Sequence, residues 1–113
     1  MHNYGGTGAG QTVVVIDSGV DSTHPMLAGR VIYEACISLL SCGNGKSMRV
    51  GPGAAQPTTT HGTHVAGIIA GNANGIQGVA PEANIIAIRV MGRSGGARSL
   101  DVLVALDLSL IHI

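Results

Sequence analysis

Apolar positions fall in blocks separated by glycine-rich and polar spacers, and the pattern differs from block to block. In "TVVVIDSGV", Val13 to Ile16 form a continuous β-branched run without polar alternation. Apolar on both faces, this run predicts a central strand of a parallel sheet, with Asp17 at its carboxyl end. Such ends line the functional crevice of open α/β sheets. "HGTHVAGIIAG", His61 to Gly71, is small and apolar nearly all round at helical spacing, which predicts a buried helix. Gly67 inside it costs roughly 1 kcal/mol against Ala and signals close backbone approach. "NIIAIRVM", Asn84 to Met91, predicts a second buried strand. Ser99 is placed to cap a last helix from Leu100 to about Leu108, with Asp101 where the helix dipole favours a carboxylate. "GRVIYEACI" reads as a short strand; the remainder of residues 21–60 reads as irregular, and "NANGIQGVAPEA" as a second loop. The order of strand, loop, helix, strand, loop, helix predicts an α/β fold, doubly wound around a mainly parallel sheet. "GGTGAG", Gly5 to Gly10, precedes the first strand instead of following it, so it reads as a flexible lead-in and not a phosphate cradle.

Composition narrows the picture. At 113 residues the chain is one small domain. Six Lys+Arg balance six Asp+Glu, so no charge excess points to nucleic acid. No apolar run approaches the ~20 residues of a membrane span, and nothing at Met1 resembles a signal peptide. Tyr4 and Tyr33 are the only aromatic residues, so the core must be aliphatic side chains and Ala packed around glycine. Charged residues at 11% fall well below the ~25% usual for globular domains, as though part of the surface were to be covered by further chain. Cys36 and Cys42 lie in a Gly/Ser-rich loop, either as a small disulfide or as two free thiols. The disulfide is the preferred reading, because this loop has few other means of order.

Candidate chemistry rests on Asp17 and His61. A carboxylate at a strand end and a histidine at a helix start both project toward the same rim of an α/β sheet. A buried Asp accepting from one imidazole nitrogen fixes the tautomer and leaves the other free to take a proton. The helix start disfavours the imidazolium and the carboxylate favours it, a balance that suits a general base. The bland alternatives are an Asp that forms a turn and a His that caps or packs. His61 and His64 as metal ligands form a weaker reading: the spacing is i,i+3, no Glu lies between them, and only Asp17 offers a third ligand.

"VVVIDSGVDSTHP" and "HGTHVAGIIAG" resemble the aspartate and histidine motifs of the subtilisin-like serine proteases, and "GVAPEANIIAIRVM" resembles the strand that follows in that family. The resemblance covers Gly8 to about Asp107, with a divergent loop between the two motifs. It implies an amino-terminal part of a subtilase peptidase domain over residues 1–107. It further implies that Asp17 is the orienting carboxylate, His61 the general base and His64 a packing residue. Ser94, Gly95 and Gly96 would form the edge that pairs with the backbone of a polypeptide substrate; a mobile turn is the other reading of these glycines.

The chain departs from the family in one respect that matters most. None of Ser18, Ser22, Ser38, Ser41, Ser47, Ser94, Ser99 or Ser109 sits in the G-T-S-M-A-x-P segment that carries the family's nucleophile. The oxyanion-hole asparagine normally lies further along as well. The expectation is therefore that this polypeptide alone hydrolyses no peptide bond and lacks the carboxyl-terminal half of its own domain as a partner. A noncatalytic peptide-binding module is the alternative. No cofactor or metal is expected: calcium is common in the family, but Met26 stands where many members place an aspartate, leaving only Asn72 and Asn74 to contribute oxygens. The expected setting of the parent protein is secreted or extracellular. Finally, "LSLIHI", residues 108–113, reads as the in-frame translation of a transposase-end adapter, CTG TCT CTT ATA CAC ATC, and is expected to be a non-native tail.

Overall fold

A computed structural model describes residues 6–93 and 95–112. Its four-stranded sheet comprises β1 (Thr12–Asp17), β2 (Val31–Ile37), β3 (Met48–Val50) and β6 (Asn84–Arg89), in the order β1-β6-β2-β3. β1 and β2 run parallel to β6, whereas β3 is antiparallel to β2. A two-stranded hairpin, β4 (Asn72–Ala73) with β5 (Ile76–Gln77), follows helix α1 (His61–Ala70), and helix α2 spans Ser99–His112.

β6 shows why the fold is doubly wound. Its side chains alternate between faces. Ile85 and Ala87 pack with Val15 and with Ala66 and Ala70 of α1, while Ile86 and Ile88 pack with Ala35, Ile37 and Ala105 of α2. Two aliphatic layers thus lie on opposite sides of one strand that is buried on both faces, as its continuous apolar run requires.

Several expectations need correction. β1 is not central: among the described residues its only partner is β6, and Val13, Val14 and Ile16 are half-buried. An apolar run reports that both faces can be covered; it does not report a strand on each side. α1 buries one stripe only, Gly62, Ala66 and Ala70, and leaves Ile68 61% exposed. The segment read as irregular contains β3, and the second loop contains the β4–β5 hairpin. α2 runs on past Leu108 to His112. Cys36 and Cys42 are joined, with 5.7 Å between their Cα atoms. Among the described residues no helix is long and apolar enough to cross a membrane.

Candidate active site

Asp17 ends β1, and its carbonyl accepts from the Val90 N–H at 3.0 Å just beyond β6. His61 opens α1. The two side chains meet: His61 Nδ1 lies 2.9 Å from Asp17 Oδ1 and 2.8 Å from Oδ2. A carboxylate can only accept, so this contact puts a proton on Nδ1, and in the neutral imidazole the lone pair is then on Nε2. The imidazole is 70% exposed and the Asp17 side chain 15%, so Nε2 is open to a reacting group while the carboxylate is sheltered.

Burial alone would push the Asp17 carboxyl up. Hydrogen bonds from His61 and from the Ser18 N–H at 2.6 Å, with attraction to the imidazole, outweigh it and hold the carboxyl below the usual aspartate value.

The residues that bring the pair together stand one position further along each segment. Ser18 Oγ accepts from the Gly62 N–H at 3.1 Å and donates to Thr59 O at 3.4 Å. Ser18–Gly62 and Asp17–His61 share the separation of 44 residues, so the two contacts form one seam between strand end and helix start. Gly62 permits the approach, since a Cβ there would lie 2.0 Å from Gly19 O. Gly19 adopts φ +99°, and a Cβ on it would meet the backbone of residues 55–57 at 2.6 to 2.8 Å. Asp21 N–H donates to Thr63 Oγ1 at 2.9 Å and closes the seam's far end.

Glu34 of β2 orders the long loop from below. Its buried carboxylate accepts from Gly53 N–H and Ala55 N–H, and Ala55 O in turn accepts from Val20 N–H at 2.9 Å. Sequence reading overlooked Ser18, Gly19, Glu34, Gly62 and Thr63. Its one available signal was that Ser18 and Gly62 directly follow the two candidate residues.

His64 does not pack beneath the site. It is exposed and lines an apolar groove of about 1050 Å³ along the outer face of α1, with Thr63, Ile68, Ile76 and Val79. Gly95 and Gly96 are exposed in the segment between β6 and α2, where Gly92 N–H donates to Gly96 O and Gly95 N–H to Gly92 O. The third residue expected there, Ser94, lies outside the described residues, as does Gly5 of the lead-in. Among the described residues no group of three or more His, Cys, Asp or Glu side chains could hold a metal ion.

With this geometry in place, the likeness to known proteins can be read. The model of the subtilase family matches residues 8–109. The chain belongs to the subtilase family. It is 43% identical over 96 residues to subtilisin Savinase of Lederbergia lenta, an alignment covering 83% of this chain and 30% of that protein. It is 39% identical over 97 residues to the thermophilic serine proteinase of Bacillus sp. (strain AK1), covering 83% of this chain and 21% of that one. Among solved structures, a cold adapted subtilisin-like serine proteinase superposes with a TM-score of 0.65 at 32% identity, covering 90% of this chain and 32% of that one. This subtilase chain therefore spans less than a third of the length of the curated relatives named here. Both candidate residues, and the seam that joins them, lie inside the matched range.

Proposed function

We propose that this chain is the Asp- and His-bearing part of a serine endopeptidase that works by an Asp-His-Ser triad, with Asp17 as orienting carboxylate and His61 as general base. The observation that carries this reading is the contact of His61 Nδ1 with both Asp17 oxygens at 2.8 and 2.9 Å, beside an exposed imidazole edge. In the reaction, Nε2 takes the hydroxyl proton of a serine as that oxygen attacks the scissile carbonyl. It then returns the proton to the leaving amine, while Asp17 stabilises the imidazolium between the two steps. The substrate is a polypeptide, held in extended form along the edge that includes Gly95 and Gly96.

The serine and the oxyanion donors come from the rest of the domain. The groove along α1 is where that remainder packs, and Ile68 and Ile76, 61% and 64% exposed, are its docking face. The parent enzyme acts outside the cell, a setting in which the Cys36–Cys42 link persists.

Labelling of the full-length protein with a fluorophosphonate tests the reading. The wild type should label, and His61→Ala should lower the labelling rate by at least about a thousandfold. A folded full-length protein that does not label overturns it. The 113-residue chain alone should show no turnover; hydrolysis abolished by His61→Ala would refute that part.

A further inference from the structure

The Cys36–Cys42 loop and the glycine-rich segment after β6 enclose a recess of about 570 Å³, separate from the α1 groove. Ser38 and Ser41 form one wall; Gly92, Arg93, Gly96 and Arg98 form the other. Gly92 opens it. A Cβ there would meet Ser41 Oγ at 3.2 Å and Ser38 Oγ at 3.6 Å, so both hydroxyls face the space that the missing side chain leaves. Among the described residues neither hydroxyl has a hydrogen-bond partner in the protein, and both remain able to donate.

Two arginines, Arg93 and Arg98, and one carboxylate, Asp101, line the recess. Arg98 pairs with Asp101 at 2.9 Å, and the other Asp101 oxygen also accepts from Leu39 N–H, so both carboxylate oxygens are engaged and Arg98 is offset. Arg93 is exposed at the rim with no acidic partner among the described residues. Behind the wall, Arg89 is 7% exposed. Its guanidinium donates to Met91 O and Ser41 O, two carbonyls and no carboxylate, and its Nε has no partner. Asp17, which neighbours Arg89 across the β1–β6 ladder, is engaged by His61. Arg93 thus stands at the rim without an acidic partner among the described residues, beside two hydroxyls able to donate, a donor set that suits a carboxylate, with the buried Arg89 guanidinium behind the wall.

We propose that this recess is a specificity subsite that takes the acidic side chain, Asp or Glu, of a polypeptide lying along the Gly95–Gly96 edge. The proposal rests on the endopeptidase reading for the polypeptide, but its ligand chemistry comes from the recess itself. The disulfide shapes the subsite by holding Ser38 and Ser41 against Gly92.

The chain, isotopically labelled, is titrated with three capped hexapeptides identical except for one central Glu, Gln or Lys, and amide shifts are followed by NMR. The Glu peptide should move the Leu39, Ser41, Gly92 and Gly96 amides at about tenfold lower concentration than the Gln peptide, and leave Gly62 still. Gly92→Ala, which fills the recess, should erase the difference, and Arg93→Glu should turn the preference toward Lys. Arg30→Glu, the same charge change before β2, should keep it. Equal response to Glu and Gln, or the same effect from Arg30→Glu as from Arg93→Glu, overturns the subsite. In the full-length protein the ratio of kcat/KM for Glu and Gln substrates should fall from about ten to one in Gly92→Ala. No turnover of any peptide refutes the endopeptidase reading and leaves the titration to decide the recess.

Discussion

Asp17 and Cys36 flank Arg89 in one row across the sheet, at the carboxyl ends of β1 and β2, yet the chain secures the two strand ends by opposite means. The Asp17 end is held without a covalent link. Hydrogen bonds from and to Ser18, a left-handed Gly19 and a bare Gly62 let a strand end and a helix start touch backbone to backbone. The Cys36 end is held by the disulfide, by Arg89 reaching Ser41 O at 2.5 Å, and by Asp101 accepting from Leu39 N–H. The first arrangement is rigid because nothing larger fits. The second is rigid because distant residues are tied to it. A site that must place two side chains within 3 Å uses close packing. A wall that only shapes a recess can be hung on cross-links.

The sharpest way to break this contrast is at Gly62. Gly62→Ala puts a methyl 2.0 Å from Gly19 O, backbone with no freedom to retreat. The expected loss is more than about 3 kcal/mol of unfolding free energy, with separation of His61 from Asp17, read by chemical denaturation and by the His61 ring shifts. A variant as stable as wild type would show that the seam is looser than its geometry.

Opening the disulfide should cost less and act elsewhere. With a sequence separation of only six residues, the closed loop is small, and Cys36→Ser with Cys42→Ser should lose about 2 kcal/mol in the chain-entropy account. Amide exchange should quicken at Leu39, Ser41 and Gly92 while the Gly62 amide keeps its protection. Equal loosening at both strand ends would show that the two are held by the same means.

The two regions also differ in how far they could be read from sequence. β1, α1, β6 and the start of α2 follow from apolar periodicity, and Asp17 and His61 from their places at a strand end and a helix start. What escaped has a physical reason in each case. β3 has three residues and β4 and β5 two each, too short for any periodicity to register. The edge position of β1 and the bare outer face of α1 depend on which elements lie beside them, and a run of Val or Ile records only affinity for burial. Ser18 looked like one serine among eight. Its role appears only when the Gly62 N–H is seen above it. Arg89 drew no reading from the sequence, and its reach to Ser41, 48 residues back, is set by loop closure that local pattern does not encode.

Acid should then probe both ends together. Hydrogen bonds from Arg98 and Leu39 N–H outweigh burial at Asp101, and those from His61 and Ser18 outweigh it at Asp17; both carboxyls sit below the ordinary value of 3.8. Depressed carboxyls stabilise the fold above their unfolded pKa, and that contribution is lost as pH falls through the folded values. Thermal stability should therefore hold down to about pH 4 and drop below it. Asp101→Asn should lower stability at pH 6 by about 1 to 2 kcal/mol and flatten the acid limb by its own share. An unchanged acid limb would remove Asp101 from the loop's support.

The smallest effect belongs to Ser18→Ala, and it decides what the seam is made of. The substitution removes the acceptor of the Gly62 N–H and the donor to Thr59 O, at a residue with no exposed surface. If hydrogen bonding and packing share the seam, the loss should be about 1 kcal/mol, since the backbone approach set by Gly19 and Gly62 survives and Thr63 still accepts from Asp21 N–H. His61 should keep its contact with Asp17, visible as an unchanged Nδ1–H resonance. A loss as large as that of Gly62→Ala would mean that the hydroxyl, and not the absence of a side chain, holds strand end to helix start. The glycines would then be a consequence of the contact that Ser18 makes.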